Sequence, residues 1–229
     1  MSNRSTILLV EDELALGGIV AENLNAVGFH VTHVQTGSQA LELLKDHEFS
    51  LLILDVMMPG MDGFSVARQI RVTNTAIPIL FVTSKTMPHD VVEGFESGGN
   101  DYLKKPFAMQ ELVVRIRVLL SDNRLLNKSN ESAVVAIGAY IFDPVKQQLG
   151  CQGLVKQLTA RESEILWLLY QHRQSLIGKK NLLETIWGDD NFFNSRTLDV
   201  FITRLRKHLK QDHSVQIINV RGVGYKLVW

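Results

Sequence analysis

The stretch LLILDVMMPGMDG at residues 51–63 begins with four consecutive apolar residues, and Asp55 ends that run. A short apolar run bounded by turn residues is typical of a strand buried on both faces. A second run, at residues 7–10, also ends in acids, Glu11 and Asp12. If the two runs are neighbouring parallel strands, three carboxylates meet at one sheet edge, where their repulsion is costly without a cation. Magnesium takes oxygen ligands and often works beside phosphate, and a carboxylate can itself accept a phosphoryl group.

Strand-like and helix-like segments alternate through the first half of the chain. Strands are predicted at 7–10, 29–34, 51–54, 79–82 and around 102–103, and helices near 14–26, 37–47, 63–72, 90–97 and 108–120. This alternation predicts an α/β fold with a doubly wound parallel sheet. In such sheets the ligand site lies outside the carboxyl ends of the strands. Polar residues stand just after four of the predicted strands: Glu11, Asp12, Asp55, Thr83 and Lys105.

The formal charge of zero conceals an asymmetry between the two halves of the chain. Residues 1–120 carry 9 Lys and Arg against 14 Asp and Glu, for −5, whereas residues 133–229 carry 13 against 8, for +5. The basic half suggests a polyanionic partner. The sequence has no secretory signal and no apolar run approaching the roughly 20 residues of a membrane span. Because the single Cys151 also fits a reducing compartment, we expect a cytoplasmic protein without membrane insertion.

The second half carries a different pattern, which follows a polar segment at 122–132 that is predicted to be a linker. Short strand-like pieces at 134–137, 139–142, 147–151 and 154–157 predict a small antiparallel sheet. Helices are predicted at 159–170, 179–187 and 195–210, before a hairpin over 216–228. We therefore expect an α+β domain here.

The third of these helices has one apolar and one basic face. The apolar face consists of residues at helical spacing: Leu198, Ile202, Leu205 and Leu209. The opposite face and its flanks are mostly basic: Arg196, Val200, Thr203, Arg204, Arg206, Lys207 and Lys210. Arginine can meet guanine bidentately, and Val or Thr can touch a thymine methyl, so this face suits a DNA major groove. For an isolated helix, an ordinary solvated face is the more common explanation.

Four blocks of the first half resemble the receiver domain of two-component response regulators, which has a flavodoxin-like fold: ILLVEDE at 7–13, LLILDVMMPGMDG at 51–63, PILFVTS at 78–84 and NDYLKKPF at 100–107. The resemblance implies that Asp55 accepts phosphate from a sensor histidine kinase. It implies that Thr83 and Lys105 contact the phosphoryl group. Tyr102 would be the aromatic residue that changes position together with Thr83.

The same resemblance implies a magnesium site at the acidic edge. Asp12, Asp55 and the Met57 carbonyl would hold Mg²⁺, with Glu11 acting through water. The Lys105–Pro106 peptide can be cis, since proline permits that isomer at modest cost. A second possible metal-binding pair is His30 and His33, spaced as His-x-x-His. It lies on strand-like sequence with no further ligand nearby, so it is not expected to bind a metal.

Four blocks of the second half resemble the winged-helix effector domain of the OmpR/PhoB class: LTARESEILWLL at 158–169, ETIWGDD at 184–190, SRTLDVFITRLRKHL at 195–209 and NVRGVGYKL at 219–227. The resemblance implies a receiver at 1–121, a linker at 122–132 and a winged helix-turn-helix domain at 133–229. The helix at 195–210 would be the recognition helix. The residues expected to contact double-stranded DNA are Arg196, Val200, Thr203, Arg204, Arg206, Lys207 and, on the wing in the minor groove, Arg221.

Some positions depart from the family pattern. Phe201 and Thr203 stand where His and Arg are common, so operator sequences cannot be transferred from other members. In this class, phosphorylated receivers pair through the fourth helix, fifth strand and fifth helix. The expected dimer residues are Glu96 with Arg117, Asp101 with Arg115, and Glu111. The basic partner usual for Glu111 is missing, since position 91 is Val, and position 100 is Asn where Asp is usual.

The leading hypothesis is therefore a phosphorylation-controlled transcription regulator that forms a homodimer, binds promoter DNA and works with RNA polymerase. It would not be an enzyme beyond its own phosphotransfer and dephosphorylation. One alternative is a response regulator that binds DNA independently of phosphorylation. Another is a magnesium-dependent aspartyl-phosphate hydrolase, although such enzymes typically have a second Asp two places after the nucleophile, where this chain has Met57.

Overall fold

The computed structural model describes residues 5–85, 87–121, 134–188 and 192–229, with the side chains of residues 88, 89, 91, 121 and 192–196 excepted. The chain divides into two compact units, Met1–Ser121 and Asp122–Trp229. The predicted linker at 122–132 lies outside the described residues. None of the described helices is long and apolar enough to cross a bilayer.

The first unit alternates strands and helices. Its elements are β1 (Thr6–Val10), α1 (Leu14–Ala26), β2 (His30–Val34), α2 (Gly37–Asp46), β3 (Leu51–Asp55), α3 (Gly63–Thr73), β4 (Ile79–Thr83), α4 (Pro88–Glu96), β5 (Asp101–Lys104) and α5 (Met109–Ser121). All five strands are parallel, in the order β2-β1-β3-β4-β5. The predicted doubly wound α/β fold is confirmed.

The central strands are buried on both faces, which explains their uninterrupted apolar sequences. On one face, Ile7 and Leu9 pack with buried side chains of α1 and α5. On the other, Phe64 of α3 meets Phe81 of β4 edge to face, with ring centroids 5.1 Å apart. Burying a side chain of this size contributes about 1.5–3 kcal/mol. The buried core therefore fixes the register of the strands and with it the edge where their carboxyl ends meet.

A close approach between α3 and β3 fixes the position of Asp55. A Cβ at Gly63 would lie 2.2 Å from the Asp55 carbonyl oxygen, so only glycine fits there. The Gly63 amide donates to the Val56 carbonyl at 3.1 Å. Asp62 caps α3 by accepting a hydrogen bond from the Ser65 amide at 2.7 Å. The loop after β3 is thus held at both ends, and Asp55 has little freedom to move.

The second unit begins with an antiparallel sheet and ends with a hairpin. Its elements are β6 (Val135–Ile137), β7 (Tyr140–Asp143), β8 (Gln148–Cys151), β9 (Leu154–Gln157), α6 (Ala160–Gln171), β10 (Ile177–Gly178), α7 (Lys179–Trp187), α8 (Phe192–His208), β11 (Gln216–Val220) and β12 (Gly224–Val228). Strands β6 to β9 pair in sequence order, and β12 lies between β10 and β11. The predicted α+β winged helix-turn-helix domain is confirmed.

Two details of this unit differ from the sequence prediction. Helix α8 begins at Phe192 and ends at His208, whereas a helix over 195–210 was predicted. Strand β10 was not predicted, because two residues have no periodicity to detect. The apolar face of α8 is buried as expected: Leu198, Ile202 and Leu205 are at most 1% exposed, and Leu209, just after the helix, is 3% exposed. The opposite face of α8 is consequently the one available to a partner.

Candidate functional site

Three acids converge at the carboxyl edge of the parallel sheet. Glu11 and Asp12 directly follow β1, and Asp55 is the last residue of β3. One ligand oxygen from each lies within 4.8 Å of the others. Glu11 is 4% and Asp55 5% exposed, while Asp12 is half-buried and opens the cluster to solvent. Carboxylate oxygens at this spacing fit a hard divalent cation, so this group, called the acidic cluster below, could bind a metal.

Lys105, which follows β5, supplies the positive charge of the acidic cluster. Its Nζ lies 2.7 Å from Glu11 Oε2 and 2.7 Å from Asp55 Oδ2. Burial disfavours the charged ammonium, but the hydrogen bonds to the two carboxylates outweigh burial and raise the pKa of Lys105. Burial, with the charge of Asp55, raises the pKa of Glu11 despite its bond to Lys105. The Lys105–Pro106 peptide is cis, as the sequence allowed.

Met57 reaches the acidic cluster through its main chain. Its amide donates to Asp55 Oδ1 at 2.8 Å, while its side chain is exposed. Because Lys105 occupies Oδ2, the two oxygens of Asp55 have distinct partners and a defined orientation. A charge-assisted hydrogen bond is stronger than a neutral one, so the contact with Lys105 is the stronger of the two that orient the Asp55 side chain.

The two predicted switch residues lie close to one loop. Thr83 is fully buried at the end of β4, and its Oγ1 accepts a hydrogen bond from the Lys85 amide at 3.1 Å. Tyr102 on β5 is 8% exposed, and its hydroxyl donates to the Lys85 carbonyl at 2.9 Å. Burial, followed by the charge of Asp90, raises the pKa of Tyr102, so its hydroxyl stays protonated and able to donate. Both side chains thus hold the main chain of Lys85.

The predicted dimer residues occupy two kinds of position. Glu96 and Arg117 are exposed. Asp101 and Arg115 instead pair with each other within the first unit, with Arg115 NH1 3.0 Å from Asp101 Oδ2. Arg115 also contacts Glu111 at 2.9 Å. The pair Asp101–Arg115 is therefore already made within one chain.

Asn100, the other departure from the family pattern, is a structural residue. It is 1% exposed, and its Oδ1 accepts hydrogen bonds from the Ile79 amide and from Arg71, both at 2.9 Å. It therefore ties the start of β4 to α3 and is not available on an exterior face.

The predicted DNA-contacting residues of α8 also divide. Thr203 and Lys207 are exposed and Val200 is half-buried. Arg204 lies 3.4 Å from the buried Glu162, and Arg206 donates twice to the Ile217 carbonyl, at 3.0 and 2.7 Å. The Arg196 side chain lies outside the described residues. Arg221 is exposed in the turn of the hairpin. A cleft of about 340 Å³ separates α8 from this hairpin.

The sequence prediction missed a hydrogen-bonded group in that cleft. Asp199 on α8, 54% exposed at its side chain, accepts from Lys179 Nζ at 3.0 Å and from the Tyr225 hydroxyl. Burial and the bond to Asp199 raise the pKa of Tyr225, so the hydroxyl remains a donor. These contacts join α8 to α7 and to β12. The only sequence signal is a lone acid on a basic face, which by itself predicts no partner.

Comparison with known proteins assigns each half. The family model for the response regulator receiver domain matches residues 7–117, and that for the C-terminal domain of transcriptional regulatory proteins matches residues 153–227. The transcriptional regulatory protein RprY of Bacteroides fragilis (strain YCH46) is 44% identical over 229 residues, which cover 100% of this chain and 96% of that protein.

A solved structure extends the likeness over both domains. DrrB of Thermotoga maritima, an OmpR/PhoB homologue, is 28% identical, with a TM-score of 0.52 over 99% of this chain and 100% of that one. The chain belongs to the OmpR/PhoB class of response regulators. The receiver domain of Francisella response regulator 1452 is also similar, at 27% identity and a TM-score of 0.50 over 52% of this chain and 98% of that one. This response regulator is a transcriptional regulator with a receiver domain and a DNA-binding domain.

Proposed function

We propose that a sensor histidine kinase phosphorylates this response regulator on Asp55, and that the phosphorylated protein binds promoter DNA as a dimer to regulate transcription. The observation that carries the proposal is the contact of Lys105 with both Asp55 and Glu11 at 2.7 Å, at the edge where β1, β3 and β5 end. A buried acid paired with a fixed cation is suited to receiving a phosphoryl group, whose oxygens the same cation can then contact.

In the proposed transfer, a carboxylate oxygen of Asp55 forms a bond to phosphorus while the P–N bond of the kinase's phosphohistidine breaks. The electron pair of that bond returns to the imidazole nitrogen. The Met57 amide and Lys105 orient the attacking carboxylate, since each binds one of its oxygens. Positioning of this kind is the main contribution a protein can make to phosphoryl transfer.

The acidic cluster fits Mg²⁺ because its three donors are hard oxygens at compatible spacing. Asp12, Asp55 and the Met57 carbonyl would hold the ion, with Glu11 acting through water. A bound magnesium ion supplies charge that offsets the repulsion between an anionic carboxylate and an anionic phosphate. In the proposed signal, Thr83 binds the phosphoryl group instead of the Lys85 amide, and Tyr102 moves with that loop.

The hydrolase alternative makes a distinct kinetic prediction. A hydrolase needs a general acid to protonate the leaving group, and Met57 has none to offer. With acetyl phosphate and Mg²⁺, the protein should take up no more than one phosphoryl group per chain and lose it slowly. Repeated turnover of a simple phosphate ester at enzymatic rates would contradict this account and favour the hydrolase.

We propose that the receivers dimerise through the face formed by α4, β5 and α5. A charge swap tests this with Glu96 and Arg117, since reversal at Asp101 would also break its bond to Arg115 in the same receiver. Glu96→Arg or Arg117→Glu alone should weaken the beryllofluoride-induced dimer about two- to fivefold, and the double variant should restore it. Analytical ultracentrifugation measures the dimer constant, with Glu22→Arg on α1 as control. A dimer insensitive to both single reversals would refute this face.

DNA contact is proposed for one face of the effector domain: Arg196, Val200, Thr203, Arg204, Arg206, Lys207 and Arg221. Helix α8 would enter the major groove of promoter DNA. The protein would do so in the cytoplasm, and binding at a promoter would place it beside RNA polymerase. Arg204 and Arg206 already have partners within the domain. Only the guanidinium N–H groups that those partners do not use would contact DNA. Arg221 would enter the minor groove, where narrow A·T-rich sequence attracts arginine.

The Arg221→Ala variant should bind DNA more weakly and with a shallower salt dependence. Loss of one electrostatic DNA contact reduces the slope of log K against log salt by about 1. Fluorescence anisotropy on a duplex recovered from protein-bound genomic fragments, at several salt concentrations, measures that slope. Lys156→Ala, an exposed charge on β9, is the matched control. Equal slopes for Arg221→Ala and wild type would remove Arg221 from the interface.

A further inference from the structure

His33 on β2 touches the main chain of the acidic cluster. Its Nε2 lies 2.9 Å from the Glu11 carbonyl oxygen. A carbonyl can only accept a hydrogen bond, so Nε2 carries the proton and donates. Because β2 pairs with β1 in parallel, with His33 opposite Leu9, the ring reaches the point where β1 ends and Glu11 begins.

A glycine in α1 makes room for the ring. A Cβ at Gly17 would lie 2.2 Å from two atoms of the His33 imidazole, so any larger residue would displace the ring or the helix. His33 is half-buried between this helix and the loop after β1. Its neighbour His30, on the same strand, is exposed and serves as a natural comparison.

The loop that carries Glu11 and Asp12 is also held by the last residue of β2 and by Gln35, which follows it. The Glu11 amide donates to the Val34 carbonyl at 3.1 Å. The Gln35 side-chain amide donates to the Asp12 carbonyl at 3.4 Å, a longer and exposed bond. The His33 bond is the shortest of the three. It also satisfies the carbonyl of the residue whose carboxylate contacts Lys105, and so fixes the direction in which that side chain leaves the backbone.

We propose that His33 is a positioning residue for the acidic cluster, acting through the Glu11 carbonyl to hold Glu11 and Asp12 in the geometry that a divalent cation requires. This deepens the proposed function and rests on it for the identity of the cation. Removing a group that orients a metal ligand through a hydrogen bond typically lowers the metal affinity about 10- to 100-fold.

Two substitutions separate the hydrogen bond from the bulk of the ring. His33→Gln places an amide nitrogen near the position of Nε2 and can still donate, whereas His33→Leu fills space without a donor. In calorimetric Mg²⁺ titrations of the full-length protein, His33→Leu should lose about tenfold in affinity. His33→Gln should restore most of the loss, and His30→Leu should match wild type. No change in His33→Leu, or equal weakness in both His33 variants, would overturn the proposal.

A metal-free measurement separates this inference from the proposed function. In EDTA, amide hydrogen exchange at residues 11–13 should be faster in His33→Leu than in wild type and close to wild type in His33→Gln. Thermal unfolding in the same buffer shows whether the variants remain folded. Wild-type protein that binds no Mg²⁺ would overturn the proposed metal site, and the exchange rates would still decide the role of His33. Amide exchange at residues 11–13 that is the same in His33→Leu as in wild type would overturn the positioning role of His33.

Discussion

Replacing Asp55 with asparagine is expected to abolish phosphoryl labelling of the protein. The asparagine amide preserves the size of the side chain but is not an anionic nucleophile, so it cannot form the aspartyl phosphate. Intact-mass measurement after incubation with acetyl phosphate and Mg²⁺ distinguishes labelled from unlabelled chains. The same change at Asp46, an exposed acid of α2, should leave labelling intact. Labelling of Asp55→Asn at the wild-type level would place the acceptor elsewhere.

The second large effect is expected at Glu162, a buried acid of the effector domain. It is 3% exposed and lies 3.3 Å from His208 Nε2 and 3.4 Å from Arg204 NH1, both on α8. Its Oε2 also accepts from the Thr159 amide at 2.9 Å, closing the N-terminal capping box of α6. Burial alone would raise the pKa of Glu162, but His208, Arg204 and the Thr159 amide lower it from 4.5 to about 2.

A lowered pKa in the folded state makes stability depend on pH in one direction. The contribution of Glu162 is fully present above pH 4.5 and is lost as pH falls towards 2. We expect Glu162→Gln to reduce the free energy of unfolding at pH 7 by about 3 kcal/mol, because it leaves the Arg204 guanidinium on α8 without its buried carboxylate partner. The difference from wild type should shrink steadily between pH 4.5 and pH 2.

Urea unfolding followed by tryptophan fluorescence reports on this domain, since Trp167, Trp187 and Trp229 all lie in the second unit. Glu184→Gln is the control, because its pair with Lys180 is 3.6 Å long and largely exposed. That change should cost no more than about 0.5 kcal/mol. An equal loss for both variants at pH 7, or a Glu162→Gln deficit that persists unchanged at pH 2, would contradict the role given to Glu162.

The parallel sheet was predictable because its strands are short apolar runs that end in polar residues, as at Leu54 and Asp55. Ligand sites in such sheets lie outside the carboxyl ends of the strands, which predicts that the acids and Lys105 lie together. In the structure Lys105 lies 2.7 Å from both Glu11 and Asp55. The start of α8 was harder, because Ser195 is a favoured helix cap by type while the helix begins at Phe192. A favoured cap residue shows where a helix can start, but it does not exclude an earlier start.

Contacts between residues that are far apart in the chain could not be predicted from the sequence. The partners of Arg204 and Arg206 lie on α6 and β11, and the bond from His33 to Glu11 joins β2 to the loop after β1. No periodicity or motif encodes such pairs, since the residues are 11 to 42 positions apart in the chain. The intramolecular pair of Asp101 and Arg115 is of the same kind: both residues were recognised, but the partner in the same chain was not.

The proposed switch must convert one modification into a change of DNA affinity. Moving a two-state equilibrium from 1:99 to 99:1 takes about 5.5 kcal/mol of differential stabilisation. New charge-assisted bonds from a phosphoryl group to Lys105 and Thr83 can contribute much of this. The hydrogen bonds that now hold the Lys85 main chain to Thr83 and Tyr102 would change at the same time. The α4–β5–α5 face would then pass the change on through dimerisation.

The most direct test of the account is the DNA affinity of wild type and Asp55→Asn, each with and without phosphoramidate and Mg²⁺ at fixed salt. The account predicts that the donor raises wild-type affinity at least about tenfold, or 1.4 kcal/mol, and leaves Asp55→Asn unchanged. Equal affinity in all four conditions would contradict phosphorylation control and favour a regulator that binds DNA independently of Asp55.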